Sequence, residues 1–441
     1  MFILVKKQII TSIKKTLFVT LSITNTIQFL NKNDTILSSN FKLTYFLFIG
    51  IALCIPLSKV IISPLLILLV IVSFRTFIKN KYTLNKRINK STYLLVLFYG
   101  LHVVSYFLSH NTAKAAFDLQ IKLSFIILPL CYLLNENIQQ VKLKSLTKAF
   151  VLGNFIASIL CVTYGLAKFN ITQSWDSFFY SELSYFHHPS YYAMYVCITL
   201  FAIGYRLHRN YNHLFWLKMV GIAWCIIMLL LLNSKTGIVV LLLLIPIGGY
   251  YLVYLKQSLI RLIALTVFFI GLMLVLLYTS ESLSYRVKEA YLALTTTTVA
   301  DKNKHLSTTT MRQFIWNDAL LLIKQNKLGY STGDVNYALV QQYKISGNTQ
   351  AANAQLNAHN QFLQTTLALG VVGLFVLLSL LIYPLLTINK SIRVIYLFFI
   401  LIVSVNFLTE SILETQSGIV FFVAGYCIII NTKYNSTNQL A

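Results

Sequence analysis

Residues 357–375 read NAHNQFLQTTLALGVVGLF, with His359 standing between Asn357 and Asn360 at the mouth of an apolar, glycine-punctuated run. Histidine is the side chain whose ordinary pKa, near 6.5, suits proton transfer at neutral pH, and an adjacent asparagine can orient it. Two cations occupy comparable places. Lys235 begins an apolar run in NSKTGIVVLLLL, and Arg312 opens the helical pattern of TTTMRQFIWNDALLLIKQ. A cation in the first turn of a helix opposes the macrodipole by about 0.3–1 kcal/mol. Such rule-breaking is expected where cations serve an anion; the plain alternative is that each side chain reaches up to lipid headgroups. Arg286 is either a further contact to such an anion or an ordinary loop charge.

The acids argue against metal chemistry of the paired-carboxylate kind. Asp176, Glu182, Glu281, Glu289, Asp301, Asp318, Asp334, Glu410 and Glu414 are scattered, with no DxD pair. Glu410 and Glu414, in NFLTESILETQSG, could support Arg312, Lys235 or an acceptor, with Glu410 the better candidate. Asp118 and Lys122 are four apart, which pairs them on one helix face, as an ion pair or as a contact to a ligand from within the membrane. The adjacent histidines of FHHPSYY (186–192) cannot face one another on a helix, so they suit a cavity wall better than a metal site. No cofactor and no metal is expected.

What holds these residues is a membrane. The 441 residues are 57% hydrophobic and only 11% charged, against about 25% charged in a soluble domain. The net charge of +24 does not call for nucleic acid, because cytoplasmic loops of membrane proteins collect Lys and Arg. The six cysteines all fall in apolar runs without a CxxC pair and read as packing residues. An all-α polytopic protein follows, with about twelve transmembrane helices and one long external loop containing short helices. The spans fall near 44–58, 60–74, 92–109, 114–134, 148–168, 190–205, 214–232, 236–255, 261–278, 362–387, 394–409 and 416–431. The first two suit a tight hairpin around Pro56 to Pro64.

The chain therefore divides into a basic, amphipathic cytoplasmic segment (1–43), nine spans (44–278), the large periplasmic loop (279–361), three spans (362–431) and a cytoplasmic tail (432–441). The lead-in lacks the small-residue cleavage site of a signal peptide. Basic connections at 75–90, 135–148, 206–213, 256–261 and 390–393 all land on one side, with both termini. Every acid except Asp34 and Glu136 lies toward the other. Loops as long as 279–361 are uncommon and often functional. Within it, 308–329 predicts a helix capped by Thr308 to Thr310, with Ile315, Trp316, Ala319, Leu320 and Ile323 on its apolar face and Gly329 as its stop. Residues 331–356 are polar and rich in Gln and Asn.

NSKTGIVVLLLL, RQFIWNDALLLIKQNKLGYSTGDV, HNQFLQTTLALGVVGLF and NFLTESILETQSGIVFFVAG, in that order, resemble the O-antigen ligase and polymerase family across roughly residues 185–430. The His-Asn pair followed by Leu-Gly-x-x-Gly is the most specific piece; Arg312 with Trp316 four residues on is the next. The resemblance implies a membrane glycosyltransferase without a metal requirement. It would move a glycan from a polyprenyl (undecaprenyl) pyrophosphate carrier to an acceptor hydroxyl, lipid A–core in the ligases, at the outer face of the bacterial inner membrane. On this likeness Arg312 and His359 match the family's loop arginine and histidine. Lys235 stands where the family usually has a second arginine, a departure that keeps charge but loses bidentate phosphate geometry. The resemblance covers polymerases and protein O-oligosaccharyltransferases as well, which differ in acceptor. A transporter or flippase would instead show inverted repeats and midplane charges.

Overall fold

The computed structural model describes residues 39–209, 214–243 and 308–432. Everything regular in them is helical, with no strand among the described residues. This is what long apolar runs must do in lipid, where only a helix or a closed barrel satisfies each backbone group. Besides a single helical turn at Tyr180–Leu183, the helices are α1 (Ser39–Cys54), α2 (Lys59–Lys79), α3 (Thr92–Phe107), α4 (Thr112–Ile121), α5 (Ser124–Leu134), α6 (Leu143–Thr172), α7 (Pro189–Arg209) and α8 (Phe215–Leu231). After a helical stretch at 235–243 come α9 (Thr308–Gln325), α10 (Val335–Ile345), α11 (Thr349–Asn353), α12 (Gln361–Ile382), α13 (Pro384–Thr387), α14 (Lys390–Thr409) and α15 (Gln416–Asn431).

This is a membrane protein by its helices. Four of them are long and apolar enough to cross a bilayer, and the bent pair α4–α5 makes a fifth if it counts as one span. Shorter apolar helices, α1, α3, α8 and α15 among them, match other predicted spans. The predicted span 261–278, most of span 236–255, the lead-in, Arg286 and nearly all of the tail lie outside the described residues. The hairpin at Pro56 is present: Ser58 caps α2 by accepting from the Ile61 amide at 3.4 Å. Helices α6, α7 and α8 are tied by side chains suited to an apolar setting. Asn154 donates to Thr199 at 2.8 Å, and the Trp224 indole to Ser158 at 2.7 Å. All six cysteines are free thiols, five of them buried.

The described part of the long loop, 308–361, folds as a small helical unit. Ile315, Ala319 and Leu322 of α9 bury against Leu339 and Tyr343 of α10, Ala351 of α11, and Leu367 and Ala368 of α12. The apolar stripe is thus rotated from the predicted one: Leu320 is exposed and Leu322 is inside. The stripe runs 315, 319, 322 because α10 and α12 lie on the same side of α9. The helix also ends early, at Gln325. Asn326 stops it by turning back, its amide donating to the Gly329 carbonyl at 2.7 Å and its oxygen accepting from Leu328 at 3.0 Å. The Gln/Asn-rich stretch is not extended; it forms α10 and α11.

Gly329 is used elsewhere. Helix α12 breaks at Gly370 (φ 68°, ψ −169°), and the 327–330 turn enters the break. Tyr330 donates its amide to the Leu367 carbonyl at 2.7 Å, and Val371 donates to the Lys327 carbonyl at 3.0 Å. The groups freed by the kink are satisfied by the loop, as a broken helix at membrane depth requires.

A second tie joins the loop to α3 and α4. Asp334 accepts from the amides of His110 (2.7 Å) and Asn111 (2.9 Å) and from the Ser331 hydroxyl (2.9 Å). Burial raises its carboxyl, but these donors outweigh that and hold it below the ordinary aspartate value. Asp334→Ala is expected to destabilise by about 1.5–3 kcal/mol, the range for hydrogen bonds to a charged group. Because the shift is downward, the carboxylate contributes in full above the ordinary value. Its contribution is lost as pH falls through the depressed one. Thermal unfolding in detergent at pH 7 and pH 3 checks this: the difference between wild type and variant should shrink in acid.

Candidate active site

Helix α14 ends at Thr409, and the next residue, Glu410, turns its side chain into the protein with 5% of its surface exposed. A buried carboxylate needs partners on both oxygens. Oε1 accepts from Arg312 Nη2 at 2.5 Å and from Ser190 Oγ at 3.1 Å. Oε2 faces His359 Nδ1 at 3.2 Å. One carboxylate thereby joins α9, the start of α7 and the turn before α12. Burial by itself raises the Glu410 carboxyl. The hydrogen bond from His359 and the charges of Arg312, His359 and His188 outweigh it and hold the group below its usual range.

The turn that presents His359 is built for it. His359 has φ 44°, in the left-handed region, and its amide donates to Asn357 Oδ1 at 3.0 Å. Asn360 caps α12, its Oδ1 accepting from the amides of Phe362 (2.9 Å) and Leu363 (3.1 Å). Both asparagines therefore act on backbone, and the partner of the imidazole is Glu410. Gln361 adds a clamp across the site: its Oε1 accepts from the Leu413 amide at 2.6 Å, fixing the 410–414 turn against the start of α12. In the neutral tautomer that suits a carboxylate at Nδ1, the proton sits on Nδ1 and Nε2 keeps the lone pair. The side chains of His359 and Arg312 are 27% and 23% exposed, so both are reachable by a substrate.

Lys235 comes to the same end of the bundle. Ser234 accepts from the Gly237 amide at 3.3 Å, and the hydroxyls of Thr236 and Thr409 meet at 2.9 Å, one residue before Glu410. The FHHPSYY stretch reaches this site, through Ser190 on Glu410 and His188 within electrostatic reach of it. Arg286 lies outside the described residues. Asp118 and Lys122 form the ion pair their spacing predicted, but Lys122 also reaches Glu414 at 3.3 Å. Glu414 thus belongs to this second, buried cluster and not to the Glu410 site. Among the described residues no group of three His, Cys, Asp or Glu side chains converges as a metal site. A groove of about 680 Å³ runs between α3, the 328–338 stretch and α12, past Ser105, Tyr330 and Asp334, and none of His359, Arg312 and Glu410 lines it.

A partly exposed imidazole backed by a carboxylate, with a guanidinium on the same carboxylate, can take a proton beside an anion. That pairing lies on the segments carrying the most specific sequence motifs. Residues 220–378 match the O-antigen ligase family. The match takes in Lys235, Arg312, His359 and Gly370; Glu410 and Ser190 lie beyond it. No curated protein matches the chain. Ser190 and Gln361 carried no signal as site residues, because each acts only through a partner distant in sequence. The O-antigen ligase match supports a membrane enzyme of the glycosyltransferase type.

Proposed function

We propose that this chain is an inverting, metal-independent glycosyltransferase of the O-antigen ligase type. The glycan moves from a polyprenyl pyrophosphate to an acceptor hydroxyl, lipid A–core first among the candidates, at the periplasmic face of the inner membrane. The observation that carries the reading is the single Glu410 carboxylate shared by Arg312 and His359. His359 Nε2 takes the proton of the acceptor hydroxyl as its oxygen attacks the anomeric carbon. The bond from that carbon to the pyrophosphate oxygen breaks on the opposite face, and the electron pair leaves with the pyrophosphate. Glu410 occupies one edge of the Arg312 guanidinium, leaving the other N–H groups for phosphate oxygens. Lys235 adds charge at the same end, and Arg286 is assigned to the pyrophosphate as well. Fixed cations here stabilise the charge that a bound Mg²⁺ balances in metal-dependent enzymes.

The polar residues of this site gather at one end of the helices, as chemistry on a membrane-bound donor requires. Broken helices also occur in transporters. The break at Gly370, however, is filled by backbone of the 327–330 turn.

The test is a transfer assay in membranes, with a polyprenyl-pyrophosphate glycan, lipid A–core and EDTA. Arg312→Ala is expected to lower transfer by about 10²–10³-fold, the effect of removing one preorganised donor to developing charge. Arg312→Lys should recover only part, since it keeps charge without the bidentate fork. Wild-type rates in Arg312→Ala would remove the pyrophosphate assignment. Transfer to a protein or to a lipid-linked glycan in place of lipid A–core would move the acceptor and keep the chemistry.

A further inference from the structure

Between α4 and α5 the chain bends by 42°, and Lys122 sits at the break with its side chain 1% exposed. An ammonium so placed is expensive unless it is matched, and ionisable residues inside membrane proteins mark functional places. Its two partners lead in different directions. Asp118 Oδ1 accepts from Lys122, while Asp118 Oδ2 accepts from the Thr332 hydroxyl and lies 3.5 Å from His102 Nδ1. Thr332 belongs to the turn between α9, which carries Arg312, and α10. The other partner is Glu414, at 3.3 and 3.4 Å, in the turn that begins with Glu410. Gln361 locks that turn to the start of α12 beside His359. Lys114, exposed one turn before Asp118, lies within electrostatic reach of both carboxylates.

We infer that Lys122 is a positioning residue for the transfer reaction: its buried ammonium holds the Thr332 turn and the 410–414 turn on one centre, which sets Arg312 against Glu410 and His359. The inference rests on the function proposed above. The logic is geometric. Arg312 and His359 come from segments on either side of the loop unit, so their meeting at Glu410 depends on how the two turns are held together. One cation that binds a carboxylate from α4, reaching the first turn, and a carboxylate from the second leaves neither turn free to move. Lys122 has no role in binding substrate, because its ammonium is already engaged by two carboxylates.

Lys122→Met alone leaves two buried carboxylates unmatched and is liable to unfold. The informative variant is therefore Lys122→Met/Asp118→Asn/Glu414→Gln, which removes all three charges together. Removing all the charges of a buried cluster avoids the uncompensated charge that makes loss of a single partner so costly. Spin labels at Tyr337→Cys on α10 and Leu408→Cys near the end of α14, both exposed, report the distance between the two arms without substrate. In the wild-type background one narrow distance is expected. The neutral triple variant should keep its melting temperature within a few degrees yet show a broadened distance distribution. Its kcat should fall at least tenfold, with the donor KM changed less than threefold. A merely structural cluster predicts wild-type kcat and a narrow distance in a stable triple variant, and that result would overturn the inference. Wild type inactive on every acceptor, with the distance broadened in the variant, overturns the transfer reading and supports the positioning of the two arms by Lys122.

Discussion

His359→Asn is expected to lower glycan transfer by about 10²–10⁴-fold, the usual contribution of a positioned general base, while leaving the protein folded. Asparagine is the suitable replacement because it tolerates the left-handed backbone that His359 adopts at φ 44°, which alanine does less well. The loss should appear in kcat more than in donor KM, since the base acts on the acceptor proton in the transition state. Glu410→Gln is the companion variant. It keeps the shape of the side chain but removes the charge on which Arg312 and His359 converge, so it should lower the rate by tenfold or more and weaken both contacts at once. The pH dependence reports on Glu410. The Glu410 carboxyl is held below its ordinary value of 4.5, so its contribution is complete at neutral pH. That contribution is lost only as pH falls through the depressed value. The rate lost in Glu410→Gln should therefore be the same at pH 7 and pH 8, and a loss that disappears at neutral pH would contradict a charged Glu410.

Apolar runs were legible in the sequence because they answer to one local requirement, the closing of backbone hydrogen bonds in lipid. The predicted spans 92–109, 148–168 and 416–431 meet α3, α6 and α15 within a few residues. Contacts made across the chain were not legible. The four-residue spacing of Asp118 and Lys122 announced their pairing, whereas Glu414, 292 residues from Lys122, gave no local sign of joining them. Glu410 looked like one acid of two between spans, and only the fold separates them: one turns to Arg312 and His359, the other to Lys122. Leu320 and Leu322 fit a helical stripe almost equally well, and the direction of α10 and α12 decides between them. Gly329 shows the limit most plainly. A glycine after a helical pattern reads as a stop, but Asn326 is the stop, and the glycine is there for a neighbour forty-one positions on.

That neighbour is Gly370, and Gly370→Ala is expected to abolish most of the folded protein. At φ 68° and ψ −169° the backbone is in a region essentially reserved for glycine, so a side chain there costs about 1–3 kcal/mol in strain. A methyl group would also stand 2.5 Å from the Leu328 carbonyl oxygen, which is backbone and cannot swing away. Relief of that clash separates the turn from the helix and releases Tyr330 from Leu367 and Val371 from Lys327. Each polar group left unpaired in the interior costs a further 1–3 kcal/mol or so. Gly329→Ala meets the same obstacle from the other side, with φ 88° and a methyl 2.6 Å from the Gly370 amide nitrogen. The two variants should therefore fail alike, whereas Val371→Ala, at an exposed neighbouring position, should behave as wild type. Yield of monodisperse protein in detergent and its melting temperature provide the measure. A stable Gly370→Ala protein with wild-type melting would mean that the backbone crossing does not hold the loop. The consequence reaches the site, because α9 carries Arg312 ahead of one glycine and α12 begins beside His359 ahead of the other. The close approach of two residues without side chains is what lets the loop unit seat on the broken helix, and with it the two groups that must meet at Glu410.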